Sequence, residues 1–198
     1  SVDQFADRRH AGGMNDVLLT GLALAVAHWH GHAGLTLNVE GHGREDILPG
    51  ADLSRSLGWF TSLFPLHLDI GLPGDPTRLP APAVEAALKS VKETLAAIPE
   101  SGIGYGLLRH LTAEGAALAD HAAPEIGFNF LGRFDTRGDL PGWRIAAEGL
   151  ALSGGAPGQP LAHALELNAL IMGEAPRLQA DWTWAGELFG SHDIAELA

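Results

Sequence analysis

Cysteine is absent from all 198 residues. The chain therefore holds no disulfide, no thiolate nucleophile and no cysteine-ligated zinc, which is compatible with a reducing, cytoplasmic setting. Basic residues are scarce: 12 Lys and Arg stand against 24 Asp and Glu, a formal charge of −12. Non-specific binding to nucleic acid or to an anionic membrane needs a broad basic footprint, so neither is expected. A local patch such as Arg8-Arg9 still leaves room for an acidic protein partner. Long apolar runs are missing too. The most apolar stretch, residues 17–26, falls far short of a spanning helix, and Ser1-Val2-Asp3-Gln4 lacks the pattern of a signal peptide. No internal repeat is found. What is present is 46% apolar and 18% charged, the composition of a folded core, with chain enough for one substantial domain or one lobe of a larger unit.

Asn15 or Asp16 can cap a helix running to about Trp29, with Val17, Leu18, Leu22, Ala25 and Val26 at helical spacing and Gly31 and Gly34 closing it. Leu35-Thr36-Leu37-Asn38-Val39-Glu40 then alternates as a strand. Leu35, Leu37 and Val39 face one side, and Thr36, Asn38 and Glu40 the other. Residues 41–57 read as a loop with a Pro49-Gly50 turn, and 64–70 as a second strand, made edge-like by Pro65. A proline- and glycine-rich connector over 71–82 leads to a helix over about 83–98, whose stripe is Val84, Leu88, Val91, Leu95 and Ile98. Pro99-Glu100-Ser101-Gly102 breaks it, and 105–111 form a short helix. Residues 126–132 read as a buried strand, 154–160 as a loop, and 161–172 with 177–184 as a hairpin, before a last helix over 191–197. Without a regular βαβ repeat, this mixture predicts an α/β sandwich with a mixed sheet packed with helices.

The densest chemistry lies at the end of the first strand. Glu40-Gly41-His42-Gly43-Arg44-Glu45 crowds two carboxylates, an imidazole and a guanidinium into six residues, with glycines to turn the backbone between them. Such a cluster can hold an acid/base group in a cleft. Strand phase favours Glu40 over Glu45, because Glu40 ends an ordered strand on its polar side. Arg44 and Glu45 read as an ion pair or a loop brace.

Four further blocks accompany this hexapeptide. Asn15-Asp16-Val17-Leu18-Leu19-Thr20 precedes it. Arg55-Ser56-Leu57-Gly58-Trp59-Phe60-Thr61 with Phe64-Pro65, Pro99-Glu100-Ser101-Gly102-Ile103-Gly104-Tyr105-Gly106, and Phe128-Asn129-Phe130-Leu131-Gly132 follow. In this order the series resembles the C-terminal half of epimerisation domains of nonribosomal peptide synthetases, members of the condensation-domain superfamily. The resemblance implies a chloramphenicol-acetyltransferase-like lobe spanning residues 1–198. The family's other half carries a paired-histidine motif, His-His-x-x-x-Asp-Gly, which this chain lacks. An N-terminal lobe of the same domain and a peptidyl carrier protein are the implied partners, and self-association of a lobe without its mate is expected.

The reaction implied by the resemblance is inversion at the α-carbon of an aminoacyl or peptidyl thioester carried on phosphopantetheine, with no cofactor bound directly. The thioester carbonyl makes the α-proton removable. Inversion needs removal on one face and delivery on the other, hence two acid/base groups on opposite walls. Glu40 is assigned to one wall and a histidine of the other lobe to the second, so this lobe alone is expected to be inactive. Asn129 is the second candidate, its amide placed to hydrogen-bond the thioester or pantetheine. The family pattern has tyrosine where this chain has Phe130, which removes a hydroxyl donor. Gly104-Tyr105-Gly106 favours epimerisation, whereas Phe130 leaves room for a condensation-type lobe that forms an amide bond. A noncatalytic carrier-docking module is the third reading.

Ordinary roles stand beside these. His42 shares the phase of Glu40 and reads first as a structural histidine. His28, His30 and His32 straddle a helix end without the one-face spacing of a zinc pair. Trp59 and Phe60 are positioned to meet a pantetheine arm, although aromatics beside a core strand more often pack. The glycines from Gly102 to Gly106 follow a helix break rather than a strand, which speaks against nucleotide binding and suggests close backbone approach. Ser101 and Ser153-Gly154-Gly155 have no histidine–acid arrangement near them in sequence, so a serine hydrolase is not supported.

Overall fold

A computed structural model describes residues 13–45, 47–53, 55–71, 79–134, 160–173 and 175–198, the side chain of Ala119 apart. Arg8-Arg9, Ser153-Gly154-Gly155, the loop over 154–159 and most of the 71–82 connector lie outside the described residues.

The first strand has the phase its sequence predicts. In β1 (Gly34–Gly41) Leu35, Leu37 and Val39 are buried while Thr36, Asn38 and Glu40 face the opposite side. It pairs antiparallel with β2 (Ser62–Asp69) and parallel with β3 (Ile126–Phe134). Beyond these, β3 runs parallel to β4 (Leu165–Met172), and β4 forms a hairpin with β5 (Arg177–Trp184). The sheet is thus mixed and five-stranded, in the order β2-β1-β3-β4-β5. β2 starts two residues before the predicted strand and carries Pro65 within the ladder, opposite Asn38. As the outermost strand it tolerates a residue without an N–H. A register shift between Phe130 and Arg133 bends the end of β3, where Gly132 takes φ 91°.

α1 (Met14–His30) packs on β1, on α2 (Ala81–Ala96) and on α5 (Ser191–Leu197), while α2 also lies on β2. Their apolar faces meet Leu37, Phe64, Leu66, Leu68, Phe128 and Leu165 in one core. Burial of a side chain such as Leu37 or Leu165 contributes about 1.5–3 kcal/mol. The buried stripe of α1 is carried by Leu19, Leu22, Ala23, Val26 and Ala27 rather than Val17, which is exposed. On α2 it is Ala87 and Val91, with Val84 exposed. Of the predicted stripes, Leu18, Leu22, Ala25 and Val26 and then Val91, Leu95 and Ile98 do pack on the core, joined by the small Ala23, Ala27 and Ala87.

Capping differs from the prediction as well. Gly13 is the N-cap of α1, and Asp16 sits three residues further on, where its carboxylate accepts the Gly13 N–H. Asp16 thus satisfies the free amide from within the first turn instead of standing before it. Gly31, at φ 72°, closes the helix with its N–H on the Ala27 carbonyl.

After α2, Glu100 (φ 46°), Ser101 (φ 51°) and Gly102 (φ 80°) form a left-handed turn that presses Gly102 onto the Phe64 ring. A Cβ on Gly102 would stand 2.2 Å from that ring, so close approach is real there, whereas Gly104 and Gly106 face open space. α3 (Tyr105–Leu111) follows beside β2, with a further turn of helix, α4 (Gly115–Ala119), that the sequence did not announce. No helix among the described residues is long and apolar enough to cross a membrane.

Candidate functional site

Strand alternation and parallel register gather polar side chains on the sheet face opposite the α1–α2–α5 layer. Asn38 pairs with Gly127 across β1 and β3, Gly127 with Glu166 across β3 and β4, and Asn129 with Asn168. Paired residues project to the same side. Thr36, Asn38, Glu40, Asn129, Glu166 and Asn168 therefore share one surface.

Glu40 sits at the end of β1 between two hollows. One, of about 60 Å³, is lined by Glu40, Asn129, His163, Glu166 and Asn168 among others. The second, of about 240 Å³, is bordered by Glu40, His42, Arg44, Trp59, Phe60, Asn129 and Phe130. Half-burial raises the proton affinity of Glu40 above that of an ordinary glutamate, and the nearby Glu166 carboxylate raises it further; a charged His163 pulls the other way. Glu40 thus lines both hollows and is only half-buried.

The hexapeptide supplies a frame as well as an acid. Arg44 Nη1 donates to the Leu53 carbonyl at 2.8 Å, and Nη2 donates to the carbonyls of Ser56 at 2.9 Å and Gly58 at 3.3 Å. The guanidinium also stacks 4.4 Å from the Phe60 ring centre. Arg44 is a brace for the loop that bears Trp59. Glu45 is paired with His42 instead, at 3.3 Å, while the Arg44 N–H donates to His42 Nδ1 at 2.9 Å. The predicted Arg44–Glu45 ion pair does not form, because the guanidinium is turned toward three carbonyls. His42 is two-thirds exposed, with 68% of its side chain accessible.

Gly43 is indispensable to this frame. At φ 63°, its missing Cβ would stand 1.5 Å from the Phe60 carbonyl oxygen. The hexapeptide and the Trp59 loop are locked together at that point. Packing does not explain Trp59, which is 86% exposed, and Phe60 is 37% exposed. Both line the larger hollow beside Glu40.

Phe130 borders the same hollow but also packs against the apolar core. Tyr105 stands apart from Glu40. It lines a third hollow of about 530 Å³ with Asn38, Phe60, Arg109 and His110, and its hydroxyl accepts from Arg109 Nη1 at 2.9 Å. His28, His30 and His32 are exposed at the end of α1, and no metal-binding cluster of three ligands occurs among the described residues.

Three residues of this face escaped the sequence reading as a group: Asn38, His163 and Glu166. His163 Nε2 lies 3.0 Å from Asn38 Nδ2 and its Nδ1 lies 3.1 Å from Glu166 Oε1. The imidazole is 10% accessible and rests on Gly127, where a Cβ would come within 2.6 Å of Nδ1. A glycine inside a strand signals such a close approach, and Leu165-Glu166-Leu167-Asn168 alternates as Leu37-Asn38-Val39-Glu40 does. Those two signals were available.

Comparison with known proteins gives a consistent picture. A family model described as Condensation domain matches residues 3–197. Chondramide synthase cmdD of Chondromyces crocatus is 41% identical over 194 residues, which is 98% of this chain and 5% of that protein. Bacitracin synthase 3 of Bacillus licheniformis is 37% identical over 167 residues, 83% of this chain and 2% of the other. Among solved structures, the epimerization domain from the third module of tyrocidine synthetase B superposes with a TM-score of 0.74 at 34% identity, covering 93% of this chain and 39% of that one. The first condensation domain of the CDA synthetase shares the fold at a TM-score of 0.55 and 17% identity, over 99% and 39% of the two chains. The chain thus spans 5% or less of these curated relatives and 39% of the solved domains. The mixed sheet packed with helices is the fold shared with those domains.

Proposed function

The chain belongs to the condensation-domain family, and from that premise we propose that it is the C-terminal lobe of a nonribosomal peptide synthetase domain that epimerises an aminoacyl or peptidyl thioester. The observation that carries this reading is Glu40, a half-buried carboxylate at a strand end, opening on two hollows and held above its ordinary proton affinity. The 34% identity to an epimerization domain supports it.

In this reading the substrate arrives on the phosphopantetheine of a carrier protein, in the cytoplasm, and the thioester carbonyl acidifies the α-carbon. Glu40 takes the α-proton on one face as the C–H electron pair moves toward the carbonyl oxygen. An acid on the N-terminal lobe delivers a proton to the opposite face, and the reverse transfers restore the starting state. A base whose proton affinity is raised toward neutrality is suited to this exchange. Asn129, which lines both hollows with Glu40, is assigned to hydrogen-bond the thioester or its tether. Phe60 and the exposed Trp59 flank the arm, and Arg44, with His42 beside it, holds their loop in place.

The decisive experiment is Glu40→Gln in the intact two-lobed domain loaded with an L-aminoacyl carrier. Deuterium wash-in at the α-carbon and formation of the D-product are expected to fall by roughly 10²–10⁴-fold. Exchange and inversion at the parent rate would refute the assignment. Phe130 favours a second reading, a condensation-type lobe, because it lacks the hydroxyl of the tyrosine in the epimerisation pattern. With a second carrier bearing an acyl thioester donor added, attack of the L-aminoacyl amine on that thioester, giving an amide and a free carrier thiol without inversion, would select it.

A further inference from the structure

Glu40 is not alone on its face, and the groups around it can be counted by element. From its own strand end come His42, Arg44 and Glu45, of which Arg44 is held on three carbonyls and His42 on Glu45. β2 presents Leu63 opposite Glu40, with His67 and Asp69 further along the same face opposite Thr36 and Gly34. β3 presents Asn129. Across the larger neighbouring hollow α3 offers Arg109 and His110, the former bonded to Tyr105. β5 places Asp181 opposite Asn168, one strand further out, with Gln179 donating to both its carboxylate oxygens. The remaining pair, His163 and Glu166, reaches Glu40 from the start of β4 and lines the same small hollow.

We propose that Asn38, His163 and Glu166 form a charge clamp beside Glu40, in which Asn38 fixes the histidine tautomer, the histidine anchors Glu166, and the anchored carboxylate is held in the small hollow that it shares with Glu40. The geometry specifies the protons. Asn38 Nδ2 donates to His163 Nε2, so the single ring proton resides on Nδ1 and is donated to Glu166 Oε1. A neutral imidazole adds no charge of its own, and the negative charge of Glu166 acts on Glu40 unopposed. The electrostatics have the same sign: Glu166 strengthens the hold of Glu40 on its proton and a charged His163 weakens it.

Two further observations show that this is a built arrangement. The His163 ring lies where only a glycine permits, over Gly127, with nine tenths of its side chain shielded. The three members come from β1, from the segment entering β4 and from β4 itself, so they meet only when the β1–β3–β4 parallel register is in place. Glu166 and His163 are positioning residues, acting through Glu40. The catalytic meaning of the clamp rests on the epimerase reading, whereas the coupling to Glu40 does not.

The test uses the intact polypeptide that carries this lobe, labelled with carboxyl-13C glutamate, with the Glu40 resonance identified by its loss in Glu40→Gln. Glu166→Gln keeps the size and hydrogen-bonding capacity of the side chain but removes its charge. The Glu40 titration is then expected to move to lower pH, and the base limb of the α-proton exchange profile to move with it. His163→Gln, which releases Glu166 without neutralising it, is expected to move the titration in the same direction by less. Glu166→Asp is expected to restore part of the parental profile. A purely structural role would lower the exchange rate without displacing either curve. If Glu166→Gln does not fold, His163→Gln decides: a Glu40 titration that stays in place overturns the clamp, and one that moves supports it. A parent without thioester exchange whose Glu40 still responds to Glu166→Gln would discard the epimerase reading and leave the clamp standing.

Discussion

The two faces of the sheet are built from the same strands and have opposite fates. On the helix-covered face, Leu35, Leu37, Val39, Phe64, Leu66, Leu68, Phe128, Leu165 and Leu167 are buried in one core. On the other, the alternate positions are Thr36, Asn38, Glu40, Asn129, Glu166 and Asn168. A period of two lets each strand serve both, and Phe130 is a residue that touches the hollow and the core alike. Stability resides on one side and chemistry on the other, and a carboxylate held above its normal proton affinity can be accommodated because the opposing layer carries the fold.

Substitutions can break or sharpen this contrast. Leu37→Ala, at a fully buried position, should lower stability by about 2–5 kcal/mol, read as a drop in the denaturant midpoint of the intact domain. Gly43→Ala should come next. It strains a left-handed residue and drives a methyl into the Phe60 carbonyl, so the Trp59 loop must shift. A loss of stability of about 1–3 kcal/mol together with loss of turnover is expected, and parental values in both assays would show that the frame is looser than drawn.

Arg44→Lys retains the charge but not the fork that reaches three carbonyls. It should raise KM for the carrier-bound substrate by roughly tenfold with little change in Tm; equal kcat and KM would remove Arg44 from the site. Glu40→Gln gives the smallest stability effect and the opposite sign. Because the folded state raises the Glu40 pKa, the protonated form favours the native state, and that contribution is lost as pH rises through the folded value. Glu40→Gln should therefore be more stable than the parent at neutral pH. The advantage should fade as pH falls below the ordinary carboxylate range. A variant less stable at every pH would contradict the sign.

How much of this was legible from the residues alone follows the same division. The phase of β1 could be read directly, because three alternating apolar residues admit one orientation of Glu40. The hairpin of β4 and β5 and the short helices at 105–111 and 191–197 could be read from local pattern too. The stripes of α1 and α2 were legible except at Val17 and Val84, which are exposed, and at Ala23 and Ala87, which are buried although periodicity of the large apolar residues did not single them out. The Asn38–His163–Glu166 group was hidden for a different reason. Its members lie 125 residues apart at the longest link, and only parallel register, which no local pattern encodes, brings them together. The packing expected of Trp59 is not found, because proximity to a core strand in sequence does not give the direction in which a loop side chain points.

Pro65 lies in the outermost strand, inside a regular ladder. An unguarded margin of backbone amides is a template on which a stray strand from another molecule can zip up. With one donor deleted at the middle of β2, that zipper lacks a tooth, and a foreign segment cannot anneal along the full length of the margin.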